Sequence, residues 1–337
     1  MSLMIKEAEE ASVRCRRALT LDRDLYAALG EKLRKMNPAC VATIARGSSD
    51  HAATYANYLI PKCTGRVVAS VAPSLVTVLD APLDLKGQFA LAISQSGSSP
   101  DILKTIERSR ASGALTAALV NNVDSPLAKA AEVVLDQHAG PEVSVAATKT
   151  VLCTMFAIAR IVAEWSQDPK LKVGLESLPD VMAQAFQRGM AADDQILGGV
   201  THAYVLSRGL GLSSAVEMAL KLKETCGIHA EAFSTAEVRH GPREIVDGKF
   251  LVLGIGIPGS GLEDVRAVTR ELAEQGARVA LFAPDEPGHS FPLSADPRLM
   301  PLVALQFMYP WLARSAKAIG RDPDRPKVLK SKIVNTF

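Results

Sequence analysis

The chain has 337 residues, 48% of them hydrophobic, enough to bury a substantial core in about two domains. Its 38 basic and 36 acidic residues nearly cancel, so there is no overall field to draw in nucleic acid or an anionic membrane, and any anion must be bound locally. Five scattered cysteines without a CxxC pair (Cys15, Cys40, Cys63, Cys153, Cys226) argue against a disulfide framework and a zinc site, and a reducing, cytoplasmic setting is expected.

In chain order, Met1-Ser2-Leu3 reads as a leader, and the following Lys6, Glu7, Glu9 and Glu10 lack the basic-then-apolar order of a signal peptide. Residues 5–36 have a helical pattern, ended by Asn37-Pro38 because proline disfavours helix in the residue before it. Residues 40–45 form a short apolar strand that runs into Arg46-Gly47-Ser48-Ser49, followed by a helix over 50–59. A second buried strand, 89–93, ends in Ser94-Gln95-Ser96-Gly97-Ser98-Ser99, and Pro100-Asp101 opens the next helix. Further strand–helix units pass through 115–121 and 132–135. The apolar run 151–163 is interrupted by Arg160 and is shorter than the roughly 20 residues that span a bilayer, so no membrane helix is expected.

The second half repeats the plan. Strand 203–207 leads into Arg208-Gly209 and a helix, and 250–255 is the next strong strand. Strand, Arg-Gly turn, helix and strand recur at nearly equal intervals, from Gly47 to Phe89 and from Gly209 to Phe250, which predicts a duplication. The expected fold is α/β: two doubly wound parallel-sheet domains. The expected division is a helical segment at 1–36, a first domain with a helical bridge at 37–190, a second domain at 191–319, and a tail at 320–337.

Chemistry gathers in few places. A Ser/Gly loop between a buried strand and a helix N-terminus offers backbone N–H groups, hydroxyls and the positive end of the helix dipole to one phosphate. An ordinary polar turn is the plain alternative, and four serines within six residues weigh against it. The loop matches neither GxGxxG nor a Walker A loop, so nucleotide readings lose weight. Glu217, Lys221 and Glu224 are spaced by four and three and share one helix face. On a surface helix this would be a solvated salt-bridge ladder; near the carboxyl edge of a sheet, a carboxylate beside a lysine is a candidate general base. His240 lies beside Gly241-Pro242, and His229 lies in the polar segment 227–233, which reads as a stretch that could line a site; lone histidines of this kind are more often bland. The proline-punctuated tail 322–332 would ordinarily be a surface extension, but a lysine within it, held in a crevice, could form a Schiff base with a sugar carbonyl.

Taken together, Arg46-Gly47-Ser48-Ser49, Ser94-Gln95-Ser96-Gly97, Glu142 through Val145-Ala146-Ala147-Thr148-Lys149, Ala219 through Glu224, His229-Ala230-Glu231-Ala232, Arg239-His240-Gly241-Pro242, and Asp324-Arg325-Pro326 before Leu329-Lys330-Ser331 resemble the sugar isomerase (SIS) domain family. The likeness is to its tandem form, the isomerase half of glucosamine-6-phosphate synthase, over nearly the whole chain. The resemblance implies phosphate contacts from Ser94, Gln95, Ser96 and Ser99, with Ser48, Ser49, Val145 and Ala147 near the sugar. It implies that His240 opens the sugar ring from the neighbouring subunit of a homodimer, that Glu224 carries the proton between C1 and C2, and that Lys221 assists at the sugar oxygens. Lys330 would form the Schiff base at C2, and Glu217 would support the site. No cofactor or metal is implied.

Ser98-Ser99-Pro100 and Ala147 depart from the synthase pattern, and nothing before Val41 reads as a glutaminase. The likeness is therefore greatest to SIS-type amino-sugar-phosphate deaminases, and the expected reaction is glucosamine 6-phosphate plus water to fructose 6-phosphate plus ammonia. Galactosamine 6-phosphate deamination, sugar-phosphate deglycation and plain aldose–ketose isomerisation use the same parts. A sugar-phosphate sensor without chemistry is the rival of another class, and it would not need Lys221, Glu224, His240 and Lys330.

Overall fold

Runs of small and branched apolar residues become strands where helices cover both faces of a sheet. The computed structural model describes residues 2–328, and the described residues form two parallel sheets. In the first, β1 (Cys40–Ile44), β2 (Val67–Ser70), β3 (Phe89–Ser94), β4 (Leu115–Val120) and β5 (Val133–Asp136) lie in the order β2-β1-β3-β4-β5. In the second, β6 (His202–Ser207), β7 (His229–Ser234), β8 (Leu251–Ile255) and β9 (Arg278–Phe282) lie in the order β7-β6-β8-β9. Every adjacent pair is parallel; Val41 faces Phe89 in the first sheet, as Ala203 faces Leu251 in the second. The second order repeats the first with one strand fewer, so the expectation of a duplicated α/β fold is met.

The repeat extends to the turn after the first strand of each sheet. Arg46 and Arg208 are extended (φ −142° and −141°), and each precedes a left-handed glycine, Gly47 at φ 54° and Gly209 at φ 57°. Only glycine takes that conformation without strain, which is why Arg-Gly marks both halves. Covering the first sheet, helix Pro100–Ala111 lays Ile102 and Ile106 on Ala90, Ala92, Ala118 and Val120. Among the described residues no helix is long and apolar enough to cross a membrane.

Two compact units result. One comprises residues 14–141 and 153–172, with the first sheet; the other comprises 2–13, 142–152 and 173–328, with the second. The linear boundaries at 36 and 190 do not follow these units, because residues 2–13 and 173–190 belong to the unit of the second sheet. The expected bridge is two helices, Lys149–Ser166 and Pro169–Ala191.

Other expectations need correction. The pattern over 5–36 is two helices, Leu3–Ala18 and Arg23–Met36, broken where Asp22 takes φ 54°. Leu3 is helical and Ser2 is buried, so both pack as part of the fold. The helix expected over 50–59 spans Gly47–Thr64. The polar segment with His229 forms the edge strand β7. β2, another edge strand, is only four residues long, Val67–Ser70, too short a run to stand out in the sequence.

A histidine clasp closes the turn before helix Arg23–Met36. His138, just after β5 at φ 52°, bonds Asp22 through Nε2 (2.6 Å) and Asp136 through Nδ1 (3.2 Å). The hydrogen bond to Asp136 raises the imidazole pKa, burial opposes it, and Asp22 adds to the rise. The folded state therefore favours the imidazolium, and this stabilisation is complete below the ordinary value of 6.5 and lost as pH rises through the folded value. The melting temperature of wild type should exceed that of His138→Asn most below about pH 6.5, the gap narrowing towards about pH 9. A gap that stays constant would contradict this.

Candidate active site

Strand order in the first sheet reverses between β1 and β3, the position at which open α/β sheets leave a crevice beyond their carboxyl ends. Both serine segments leave from these two strands. After β1, Ser48 and Ser49 lie half-buried in the first turn of helix Gly47–Thr64. After β3, buried Ser94 turns the loop back by accepting the Gly97 N–H on its Oγ at 3.1 Å. Gly97 has φ 63°, and a Cβ there would lie 2.1 Å from Ser125 Oγ, so conformation and space both require glycine. The segment after β4 fixes the loop from outside: the N–H groups of Asn121 and Leu127 donate to the carbonyls of Gln95 and Gly97, each at 3.1 Å.

Gln95, Ser96 and Ser99 are half-buried. Ser99 is the N-cap of helix Pro100–Ala111, yet its hydroxyl makes no capping bond. That hydroxyl is therefore spare for a ligand. Asp101, in the same first turn, is buried and bonded to Arg46 Nε at 2.9 Å. This pair offsets the carboxylate that would otherwise repel an anion at the helix N-terminus.

The unit of the second sheet holds the other candidates. Helix Leu212–Lys221 runs directly into a π-type turn, Leu222–Cys226, a wider winding that recurs at functional sites. Lys221 lies at the junction with its Nζ 3.3 Å from Glu217 Oε1 and 2.5 Å from Glu224 Oε2. The side chains of Glu217 and Lys221 are 0% exposed and that of Glu224 is 16% exposed, so this is not a solvated ladder. Burial pulls the Lys221 pKa down, but the two carboxylates outweigh it and the net shift is upward; the ammonium persists at neutral pH. Glu224 is the carboxylate that reaches the surface, and Lys221 fixes its direction.

A residue that the sequence did not suggest completes the chain. Tyr309, in helix Met300–Ala318, donates its hydroxyl to Glu217 Oε1 at 3.3 Å. Burial and then the Glu217 charge push its pKa well up, so it stays a donor. A tyrosine within an apolar helix reads as core, and no local pattern ties it to Glu217.

Val145 and Ala147 are half-buried in the segment before helix Lys149–Ser166. Glu142 curls under that segment: Oε1 accepts the N–H groups of Thr148 (3.0 Å) and Thr150 (3.1 Å), and Oε2 accepts the Thr150 hydroxyl (2.6 Å). His240 is exposed at the end of helix Thr235–Arg239. That helix is fastened by Arg239, which bonds Asp264 (2.9 Å) and Glu271 (2.6 Å). Among the described residues no hydrogen bond joins His240 to Lys221 or Glu224. Lys330 lies outside the described residues. Thus Glu217, Lys221 and Glu224 come together in one unit, and Ser48, Ser49 and Ser94 to Ser99 are carried by neighbouring strands of the other.

Comparison with known proteins gives this arrangement a context. The SIS domain family pattern matches residues 37–163 and 197–295. The glutamine–fructose-6-phosphate aminotransferase (isomerizing) of Methanothermobacter thermautotrophicus is 30% identical over 337 residues, covering 97% of this chain and 56% of the relative. That of Sulfurisphaera tokodaii is 29% identical over 334 residues, covering 97% and 55%. The chain thus spans about half the length of these curated relatives. A candidate phosphosugar isomerase from Silicibacter pomeroyi has a solved structure with TM-score 0.88 and 36% identity, over 96% of this chain and all of that one. The glucosamine-6-phosphate deaminase of Thermotoga maritima shares the fold at TM-score 0.79 and 20% identity, over 99% of this chain and 100% of that one.

Removing one partner of a buried ion pair leaves the other charge uncompensated, at a cost of about 3–5 kcal/mol. Lys221→Met should lose stability of that order in urea unfolding, while Lys35→Met, at the exposed Lys35–Glu31 pair, should leave the midpoint unchanged. Equal, small losses would refute the buried-charge description.

Proposed function

Because the chain belongs to the SIS domain family, we propose that it acts on an amino-sugar phosphate, converting glucosamine 6-phosphate and water into fructose 6-phosphate and ammonia. The observation that carries this reading is the buried Glu217–Lys221–Glu224 cluster with only Glu224 reaching the surface. A buried ammonium is costly, and a purely structural face gains nothing by aiming one at a partly exposed carboxylate.

In this reading Ser94, Gln95, Ser96 and Ser99 hold the phosphate, with Ser48, Ser49, Val145 and Ala147 along the sugar. His240, supplied by the neighbouring subunit of a homodimer, assists ring opening. Glu224 takes the proton from C2 of the open-chain aldehyde and returns it to C1, while Lys221 stabilises charge developing on the sugar oxygen. Glu217, itself held by the Tyr309 hydroxyl, helps to keep Lys221 charged and in place. The C2 imine so formed is attacked by the Lys330 amine, ammonia leaves, and water hydrolyses the Schiff base to release fructose 6-phosphate.

Supporting the deaminase direction are Ser98-Ser99-Pro100 and Ala147, where the synthase pattern differs. Purified protein should release ammonia from glucosamine 6-phosphate without glutamine; silence there, with turnover of another sugar phosphate, would overturn the assignment. Glu224→Gln should lower kcat by about 10²–10⁴-fold while changing the Kd for glucosamine 6-phosphate by less than about 3-fold. Unchanged turnover would remove Glu224 as the base, and binding without any turnover in wild type would favour a sensor.

A further inference from the structure

Helix Leu3–Ala18 begins with the charged residues Lys6, Glu7, Glu9 and Glu10. The structure gives two of them long-range partners within the unit of the second sheet. Glu7 is 4% exposed. Its Oε1 accepts the Val143 N–H at 2.5 Å and its Oε2 accepts the Ser144 N–H at 3.1 Å. One helical turn on, Glu10 bonds the Nζ of fully buried Lys149 at 2.6 Å. The helix is itself pinned in two further places. Asp324 accepts the N–H groups of Leu3 (2.6 Å) and Met4 (2.9 Å), capping the helix N-terminus, and Gln306 Nε2 donates to the Ala8 carbonyl at 2.8 Å.

Hydrophobic burial does not hold the start of the Val143–Ala147 segment. The Val143 side chain is 72% exposed, so two successive peptide planes at 143 and 144 are oriented by charge-assisted hydrogen bonds to one carboxylate. Glu142 does the same at the far end, through Thr148 and Thr150. Val145 and Ala147 lie between these two anchors. A backbone meant to meet a ligand gains from being ordered beforehand, since the ordering cost is then removed from binding.

We propose that Glu7 is a positioning residue of the sugar site: from the first helix it sets the backbone of residues 143–147 so that Val145 and Ala147 meet the substrate preformed. Glu10, Gln306 and Asp324 fix the helix that carries it. The inference rests on the reading given above, in which this segment lies along the sugar. It also gives the tail a task separate from Lys330, because Asp324 anchors the helix that Glu7 reaches from.

The test compares wild type, Glu7→Gln, which keeps one acceptor oxygen, and Glu7→Ala, which keeps none. Amide exchange at 143–147 should accelerate about tenfold in the Gln variant and about a hundredfold in the Ala variant, with the core strands unchanged. The Kd and KM for glucosamine 6-phosphate should rise about tenfold in the Gln variant and more in the Ala variant, with kcat reduced less than KM is raised. Wild-type exchange at 143–147 in either variant overturns the proposal, as does an unchanged Kd where exchange has risen. A merely structural role would lower the melting temperature and leave the Kd of the folded protein alone. If Glu7→Ala does not fold, Glu7→Gln decides. If wild type binds no glucosamine 6-phosphate, the deaminase reading fails, and the exchange arm still decides whether Glu7 holds the segment.

Discussion

An ammonium held between two carboxylates inside the protein, Lys221 between Glu217 and Glu224, is the constraint on which the candidate chemistry depends. Each of these charges would be expensive to bury alone. Together they leave a carboxylate with a fixed direction and a single route to the surface, backed by a lysine that stays charged because its neighbours outweigh its burial. Tyr309 serves the deepest member of the set, placing a neutral donor on Glu217. A general base gains from such a position, since its geometry is set before substrate arrives.

The duplicated fold supplies the same frame twice, and the two copies have diverged in use. In the first, the loop after β3 keeps serines and a spare Ser99 hydroxyl at a helix N-terminus. In the second, the corresponding loop after β8 has Ser260, whose Oγ accepts the Leu210 N–H (2.9 Å) and donates to the Arg208 carbonyl (3.2 Å). The first turn of the following helix carries Glu263 and Asp264, which oppose an anion at that terminus. Asp264 is taken up by Thr235 and Arg239. Ser260 of the second loop thus braces the Arg208-Gly209 turn, and Asp264 of the helix after it braces helix Thr235–Arg239.

How legible this was in the sequence follows from where each signal lies. β1, β3, β4, β6 and β8 are largely buried and read as apolar runs, whereas β7 is an edge whose His229, Glu231 and Ser234 break the run, and β2 is an edge of only four residues, too short to show a period. The break at Asp22 carried neither glycine nor proline, because the clasp of His138 and Asp136 lies far along the chain. Spacing placed Glu217, Lys221 and Glu224 on one face, but their burial depends on helix Met300–Ala318, beyond any local pattern. Tyr309 and Glu7 were missed for the same reason: each gains its meaning from a partner more than ninety residues away.

The central claim is that Glu224, steered by Lys221, moves a proton between C1 and C2 of a sugar phosphate. It is tested most directly by incubating the protein with fructose 6-phosphate in D₂O, without ammonia, and following the C1 protons by NMR. The account predicts loss of C1 proton signal with wild type and none above background with Glu224→Gln. Equal washout by both proteins, or none by a wild type that binds the sugar phosphate, would contradict it.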